Sequence, residues 1–530
     1  MKAARFFALL LALLMAFSMT AYAEEITFPL EEPIEVTVYV CTGDSAFSLE
    51  ETAIYKWMEE KTNVHLNIEY STNLTENTEK LNVLLNTGDY PDILLKSGIS
   101  PDALLEMGQE GIFIQLDELL KQYAPNYSAI ITERGDWPAV TSSDGHLYSM
   151  YEISKPNVGN TPHMWINQKW LTNLGLEMPT TPDELYNVLK AFKEQDADGD
   201  GDPNNEIPWI ASNDITPVEF ILPLFGYNMQ GWWDPWVVSE DGKSIEFFPA
   251  TERYKDVLAF ITRCYQDGLL YTDSFSITCE QIRAMGQTGE ALGVFGEWHP
   301  GNTVGQWNAA KSLDENLVDD YVAMVPFEGA KWPTAGGLNR GGLAITDKCK
   351  YPEIMVAWAD LLYGAEGAMV ANYGFEGDTY DLVDGQVKMR DKNNPSESWG
   401  ENVNHALIAM GGGTFAPITT YVEGIEPYYD LEKDPSARLL QDTYDKFEAL
   451  DKFYPAWPAL TLTETETERN ADVMADVDTY RLSYRAEVIT GKKTLEDSWD
   501  EYIAAMNAMG LQESIDNMNA AYTRYLDSAK

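Results

Sequence analysis

The chain has 530 residues, which is more than one hydrophobic core usually holds, so we expect two or three domains or two large lobes. Its 85 aspartate and glutamate residues far outnumber its 36 lysine and arginine residues. Phosphate backbones and anionic membranes repel such an acidic chain, which excludes nucleic acid as a partner.

The N-terminus predicts export. Lys2 and Arg5 precede an apolar stretch, and Ala21 and Ala23 supply the small residues of a cleavage site. Residues 1–23 are therefore predicted to be a signal peptide. No cysteine lies at that site, so a lipid anchor is not supported, and no later stretch approaches the roughly 18 apolar residues of a membrane span. We expect an exported protein that is extracellular, at the cell surface or periplasmic.

Strands and helices alternate through the first part of the chain. Residues 35–41 are predicted to form a buried strand, 49–60 a helix and 64–70 a second strand, an order that indicates a parallel βαβ unit. The alternation continues to about residue 375. The last hundred or so residues are predicted to be mostly helical, with Thr494 capping one apolar-faced helix. This pattern favours two α/β lobes that share strands by chain crossover.

A capped helix is predicted between these elements. Thr181 and Glu184 have the spacing of a capping box, and Pro182 takes the first helical position. Apolar residues then recur at the spacing of one helix face.

An acidic loop at residues 196–206 follows this helix, with a carboxylate at every second position of its first part. Its candidate metal ligands match positions 1, 3, 5, 7 and 9 of a calcium-binding EF-hand loop, with a closing acid one residue early. These candidates are Asp196, Asp198, Asp200, Asp202, Asn204 and Glu206. The alternative is a solvated acidic turn, because Asp, Asn and Gly are ordinary turn residues. Calcium is favoured because clustered carboxylates repel one another unless a cation lies among them.

A strand, and not a second helix, is predicted directly after the acidic loop, at residues 207–210. An EF-hand sensor needs a helix on each side of its loop. The predicted calcium is therefore structural.

The four cysteines allow three disulfide pairings: they are Cys41, Cys264, Cys279 and Cys349. Buried thiols are an equally good interpretation, because a chain of this length needs no disulfide for stability. The five histidines are scattered, and no two have zinc-ligand spacing.

Many aromatic residues stand beside Gly, Pro, Asn or Asp, which indicates loops; Trp232, Trp233, Trp298 and Trp457 are examples. In loops of an exported protein, tryptophan often forms flat stacking platforms. Core packing is the alternative for any one of them.

Several segments, in order along the chain, resemble one protein family. They are 88–93, 111–126, 165–184 running into the acidic loop, 345–353 and 489–510. The chain resembles the family 1 extracellular solute-binding proteins of bacterial ABC importers, which are of the maltose-binding-protein type. It is most similar to the long subgroup that carries a calcium loop and takes up oligosaccharides. Many of that subgroup are lipoproteins, and the absence of a cysteine at the cleavage site departs from that pattern.

The resemblance implies an α/β fold of the two-lobed periplasmic-binding-protein type, type II-like, with a central ligand cleft and a helical C-terminal part. Lobe 1 would comprise residues 24–160 and 340–375, and lobe 2 residues 161–339 and 376–530. It also implies a monomer that is not an enzyme. Such a protein captures a carbohydrate, expected to be an oligosaccharide, by closing the cleft, and delivers it to the permease subunits of an ABC transporter.

Ligand-binding positions follow from the same resemblance. They are expected after the first strand, after the strand that ends at Leu95, near the first lobe crossing and at two stacking aromatics. The residues are Asp44, Ser45, Lys96, Tyr151, Glu152, Trp298 and Trp457. Trp232 and Trp233 are further cleft candidates without motif support.

Two other functions remain open from the sequence. A secreted glycoside hydrolase or lyase would also use aromatic loops and paired carboxylates, although no Gly-x-Ser-x-Gly, His-Glu-x-x-His or P-loop motif occurs. A surface lectin would bind sugars without a permease. Residue types favour a sugar over a peptide, but they do not identify it.

Overall fold

The computed structural model describes most of the chain, although the predicted signal peptide lies outside the described part. The described residues are 26–41, 52–71, 74–153, 163–213, 216–227, 235–305, 317–332, 338–389, 435–450, 453–454, 460 and 462–528.

The strands within these residues are short and mostly buried. They are β1 (Ile34–Cys41), β2 (Val64–Ser71), β3 (Ile93–Leu95), β4 (Ser149–Ile153), β5 (His163–Asn167), β6 (Ile207–Trp209), β7 (Trp236–Val238), β8 (Ile245–Phe247), β9 (Leu292–Glu297), β10 (Tyr321–Ala323), β11 (Leu338–Ile345), β12 (Tyr380–Val383) and β13 (Gln386–Met389).

The helices are longest at the C-terminal end. They are α1 (Ala53–Thr62), α2 (Leu74–Thr87), α3 (Pro101–Gln109), α4 (Asp117–Tyr123), α5 (Pro125–Arg134), α6 (Trp137–Val140), α7 (Gln168–Leu174), α8 (Pro182–Glu194), α9 (Pro217–Ile221), α10 (Glu252–Gln266), α11 (Cys279–Gln287), α12 (Pro300–Val304), α13 (Pro352–Asp360), α14 (Ala365–Tyr373), α15 (Pro435–Glu448), α16 (Glu464–Ile489), α17 (Leu495–Met509) and α18 (Leu511–Ser528).

The first sheet has the strand order β2-β1-β3-β11-β4. β1 runs parallel to β2 and to β3, and α1 connects β1 to β2, so the predicted βαβ unit is confirmed. β11 is antiparallel to both of its neighbours, β3 and β4. Apolar residues alternate between the two faces: Val38 and Leu95 enter one core cluster, and Tyr39 and Leu94 enter another. Both faces are therefore covered, as expected where helices flank a largely parallel sheet.

The second sheet has the strand order β10-β5-β9-β6. The chain enters it after β4 and leaves it after β10 to return to the first sheet as β11. It therefore passes between the sheets twice, which is the strand sharing that the sequence pattern predicted. This α/β architecture confirms the predicted fold class.

The two large sheets pack into separate hydrophobic cores. The core that we call the first covers one face of the first sheet and draws on α13 and α14, and a smaller cluster covers the other face. The second core surrounds the second sheet and includes buried residues of α15 to α18, among them Tyr484 and Tyr502, whose rings stack with centroids 4.0 Å apart. The predicted helical C-terminal part thus belongs to the second core. Thr494 does precede α17, but its side chain makes no capping hydrogen bond there.

The cysteines form none of the three possible disulfides and are thiols. Cys264 lies in α10, where burial raises its thiol pKa to about 12. Burial likewise raises the pKa of Cys349 to about 11. Such thiols stay protonated at neutral pH and are poor nucleophiles.

No single helix in the described ranges is long and apolar enough to cross a membrane. Residues 352–363 and 365–373 reach that length and apolarity as a pair, but they are bent by 69°. Met355, Trp358 and Leu362 of this pair are buried in the first core.

A buried ion pair ties α16 to α9 beside the second sheet. Arg485 of α16 donates to one carboxylate oxygen of Glu219, and the Thr216 hydroxyl donates to the other. The two charged side chains are only 13% and 6% exposed. Removing one partner of such a pair leaves an uncompensated buried charge, which costs more than removing both.

We therefore expect Arg485→Met to lower the free energy of unfolding by about 3–5 kcal/mol, because Glu219 loses its buried cation. The double variant Glu219→Gln/Arg485→Met should recover most of that loss, since it removes both charges of the pair. Urea unfolding followed by circular dichroism measures both. A single variant as stable as wild type, or a double variant no more stable than the single one, would contradict this role.

Candidate functional site

Two predicted ligand-binding residues meet at the carboxyl ends of β3 and β4. The Lys96 ammonium lies 3.2 Å from a carboxylate oxygen of Glu152, and both side chains are mostly buried. β11 runs between their strands, and Leu95 and Met150 both lie opposite Leu343. This register brings the residue after β3 close to the residues that end β4.

Lys96 has a left-handed backbone conformation, with φ of 41°. A left-handed backbone is strained for a lysine. Such strain persists only where the surrounding structure holds the residue in place, and it is often found at functional sites. Here the Lys96 N–H donates to the Gly342 carbonyl of β11 at 2.9 Å.

Tyr151 is held by two other tyrosines. Its N–H donates to the Tyr127 hydroxyl at 3.3 Å, and its carbonyl accepts from the Tyr363 hydroxyl at 2.5 Å. β4 is the last strand of its sheet, so these hydroxyls replace a neighbouring strand. The Tyr151 ring is 5% exposed and lies in the first core, which leaves little of it for a ligand. Its position instead fixes that of the neighbouring Glu152.

Trp298 directly follows β9 and is 52% exposed. Among the described residues it is the most exposed aromatic side chain, ahead of Tyr351 at 36%. Water contact with an indole is costly, and an exposed tryptophan beside ordered backbone is typical of a binding surface.

Glu297, the residue before Trp298, was not predicted from the sequence. Its side chain is fully buried and accepts hydrogen bonds from the Trp298 N–H at 2.8 Å and from Arg283 at 2.9 and 3.0 Å. The only sequence signal for it was a charged residue directly after the apolar segment 292–296.

The remaining candidates lie outside the described residues. They are Asp44, Ser45, Trp232, Trp233 and Trp457.

The helix before the acidic loop begins as predicted, with one difference. The Thr181 hydroxyl accepts from the Glu184 N–H at 3.2 Å. The Glu184 carboxylate, however, accepts from the N–H and hydroxyl of Thr180, at 2.8 and 2.9 Å, and not from Thr181. The predicted reciprocal box is therefore displaced by one residue. These bonds hold the pKa of Glu184 below its usual range.

Three of the six predicted metal ligands converge in the acidic loop. One carboxylate oxygen from each of Asp196, Asp198 and Glu206 lies within 4.8 Å of the others. The loop turns through Gly199 and Gly201, which have φ of 82° and 97°. Such angles are readily adopted only by glycine.

The other three predicted ligands fold back on the loop itself. The carboxylate of Asp200 accepts from the Asp202 N–H at 2.7 Å and from the Asn205 amide at 2.8 Å. One oxygen of Asp202 accepts from the N–H and amide of Asn204, at 3.2 and 2.9 Å. Neither the Asp200 nor the Asp202 carboxylate belongs to the converging group.

The converging group has the properties of a cation site. Glu206 Oε1 accepts from the Ala197 N–H at 2.7 Å, whereas Glu206 Oε2 is buried and has no hydrogen-bond partner among the described residues. Burial and the nearby charges of Asp200 and Asp196 raise the pKa of Asp198. A hard cation would satisfy the unpaired oxygen and offset the repulsion, and three carboxylates are suitable ligands for one. The residues therefore fit a divalent metal.

The acidic loop joins α8 to β6 and also contacts α7. Its Ala197 carbonyl accepts from the Asn173 amide next to the end of α7, at 2.9 Å. A helix-loop-strand arrangement agrees with the predicted structural role and differs from the two helices of a sensor.

A surface groove of about 430 Å³ lies along β2. It is lined by Thr37, Val38, Pro91 and residues 65–69, and none of the candidate site residues contributes to it. The groove belongs to the sheet edge and not to the candidate site.

Comparison with known proteins gives a family match over most of the chain. Residues 46–369 match the model of the family described as bacterial extracellular solute-binding protein. The fructooligosaccharide ABC transporter substrate-binding protein FusA of Streptococcus pneumoniae is 27% identical over 438 residues, which cover 79% of this chain and 77% of that protein.

Solved structures share the fold. The structure of S. pneumoniae FusA in complex with kestose has a TM-score of 0.74 and 23% identity, covering 93% of this chain and all of that one. The alginate-binding protein AlgQ2, solved without calcium ion, has a TM-score of 0.69 and 24% identity, covering 94% of this chain and all of that one.

Proposed function

This chain belongs to the family of bacterial extracellular solute-binding proteins, and we propose that it captures an oligosaccharide and delivers it to the permease of an ABC transporter. The exposed indole of Trp298 carries the proposal of a sugar ligand, because sugars offer flat apolar faces to aromatic rings. The relative that binds fructooligosaccharides supports it. The protein would act as an exported monomer that binds its ligand without altering it.

Capture is proposed to occur by closure of two lobes. Lobe 1 would be residues 24–160 and 340–375, and lobe 2 residues 161–339 and 376–530. The two cores support this division, since the buried residues of each come from one of these sets, although β11 begins in the first sheet at Leu338, two residues before the boundary. Closure is driven only if the sugar binds the closed form more tightly, so contacts from both lobes are needed. The pair Lys96–Glu152 in lobe 1 and Trp298 in lobe 2 would supply such contacts.

We further propose that the sugar is uncharged. Lys96 already has an ionic partner in Glu152, so it is not available to neutralise a uronate. The formal net charge of −49 also repels a polyanion. This ligand would differ from that of the alginate-binding neighbour.

In a thermal-shift screen, neutral fructo-, gluco- and manno-oligosaccharides are expected to include one that raises the melting temperature. At 100 times its Kd a ligand stabilises by about 2.7 kcal/mol, which is a shift of several degrees for a lobe of this size. Oligouronates of equal length should give no shift. A shift with oligouronates alone would contradict the uncharged ligand.

The same mixtures distinguish the alternative functions. Chromatography after prolonged incubation should recover the oligosaccharide unchanged, and shortened products would establish a glycoside hydrolase or lyase instead. Sugar transport into proteoliposomes that contain the partner ABC transporter should depend on the protein. A sugar-binding protein with no effect on transport would be a lectin.

Trp298→Ala should weaken binding of the best neutral oligosaccharide by about 30-fold, because a central stacking tryptophan contributes about 2 kcal/mol or more. Isothermal titration measures the affinity, and an unchanged melting temperature without sugar shows that the fold is intact. Tyr351→Ala, which removes another exposed aromatic ring, is the matched control and should bind normally. Equal affinities for the two variants would exclude Trp298 from the site.

We propose that the acidic loop binds calcium and that the ion is structural. Asp196, Asp198 and Glu206 would hold it, and the ion would offset the repulsion among these three crowded carboxylates. The unpaired Oε2 of Glu206 supports this assignment. Asp200, Asp202 and Asn204 would then shape the loop, or join the ion after a rearrangement.

Chelation with EDTA should lower the melting temperature by roughly 5–10 °C, and added calcium should restore it, because the ion binds only the folded loop. Glu206→Gln should remove this calcium-dependent shift, whereas Glu110→Gln, at an exposed acid of the first half, should keep it. Elemental analysis of the purified protein measures the bound metal. No metal and no effect of EDTA would leave the loop as a solvated acidic turn.

A further inference from the structure

Packing alone does not explain the buried carboxylate of Glu297, the residue before Trp298. Glu297 ends β9, whose residues are all buried, and its own side chain is only 1% exposed. Burying a carboxylate costs several kcal/mol before its partners are counted, and an apolar residue would fill the same space. The hydrogen-bond partners of the Glu297 carboxylate, the Trp298 N–H and Arg283, indicate its role.

One oxygen of Glu297 holds the candidate stacking residue. Glu297 Oε1 accepts from the Trp298 N–H at 2.8 Å, and the Glu297 carbonyl accepts from the Trp165 indole at 2.8 Å. The next residue is fixed as well, because His299 Nδ1 accepts from the Gly301 N–H at 3.0 Å and caps α12. The backbone on both sides of Trp298 is therefore bound while its ring faces solvent.

The second oxygen of Glu297 is held by a planar cation. Arg283 of α11 donates from Nε and Nη2 to Glu297 Oε2, at 3.0 and 2.9 Å. α11 is itself well anchored, since it begins with a reciprocal capping box of Thr278 and Gln281. A Cβ on Gly286 of this helix would come within 2.5 Å of the Thr303 carbonyl, so α11 packs directly on the helix that follows Trp298.

We propose that Glu297, oriented by Arg283, is a positioning residue that fixes the Trp298 backbone and so holds the indole ready for an oligosaccharide. This rests on the proposed function, in which Trp298 contacts the sugar. Preorganisation of this kind strengthens binding because the ring loses less conformational freedom when the ligand arrives.

A double-mutant cycle tests the proposal on the full mature protein. The variants are Glu297→Gln, Trp298→Ala and the double variant, and the probe is kestose or any neutral oligosaccharide of the screen that wild type binds more tightly. Glu297→Gln should weaken binding about 10-fold in wild type and by less than 2-fold in the Trp298→Ala background, because it acts through that ring. Equal losses in both backgrounds would overturn the proposal.

A second readout needs no sugar. The near-ultraviolet circular dichroism of wild type minus that of Trp298→Ala gives the signal of Trp298 in a fixed orientation. Glu297→Gln and Arg283→Lys should each lose at least half of that difference. Arg524→Lys, which alters the two-bond pair of Arg524 with Glu466 on the C-terminal helices, is the matched control and should keep it.

The outcomes separate the two hypotheses. If wild type binds no oligosaccharide, the proposed function fails and this inference fails with it. If wild type binds and Glu297→Gln keeps full affinity and the full Trp298 signal, only the inference fails. Should Glu297→Gln not fold, Arg283→Lys decides by the same two measurements, since it retains the charge of the ion pair.

Discussion

The insertion of β11 between β3 and β4 is the constraint on which the rest of the fold depends. This strand follows all four strands of the second sheet in sequence, yet it completes the first sheet by antiparallel pairing on both sides. The chain must therefore cross between the sheets twice. The same pairing sets Lys96 beside Glu152 and supports the strained Lys96 backbone, so one strand joins the two halves and builds part of the candidate site.

Local sequence signals predicted local features well. The βαβ unit, the start of α8 and the helix-loop-strand order around the acidic loop depend on neighbouring residues, and the structure has them. The sequence did not show that Asp196, Asp198 and Glu206 converge while Asp200 and Asp202 do not, because their spacing is the same and only the turn of the folded loop separates them. Contacts between distant segments, such as Arg283 with Glu297, leave no periodic pattern to detect.

Buried carboxylates recur, and each is matched to donors that fix an element. Glu219 joins α9 to Arg485 of α16, Glu297 joins β9 to α11, and Asp360 accepts the N–H groups that open α5 at 3.1 and 2.8 Å. The chain has few lysine and arginine residues, and some of its arginines pair with buried acids. Fewer cations therefore remain to balance the exposed acids, and the surface is strongly negative. That surface suits an uncharged ligand and disfavours a polyanionic one.

Capture by closure of the two lobes is most directly tested by small-angle X-ray scattering of the mature protein with and without a saturating neutral oligosaccharide. If Lys96–Glu152 on one lobe and Trp298 on the other contact one sugar, as proposed, the two lobes should close around it. The radius of gyration should fall on binding in wild type and stay unchanged in Trp298→Ala at the same sugar concentration. Tight binding by wild type with no change in the radius of gyration would contradict capture by closure.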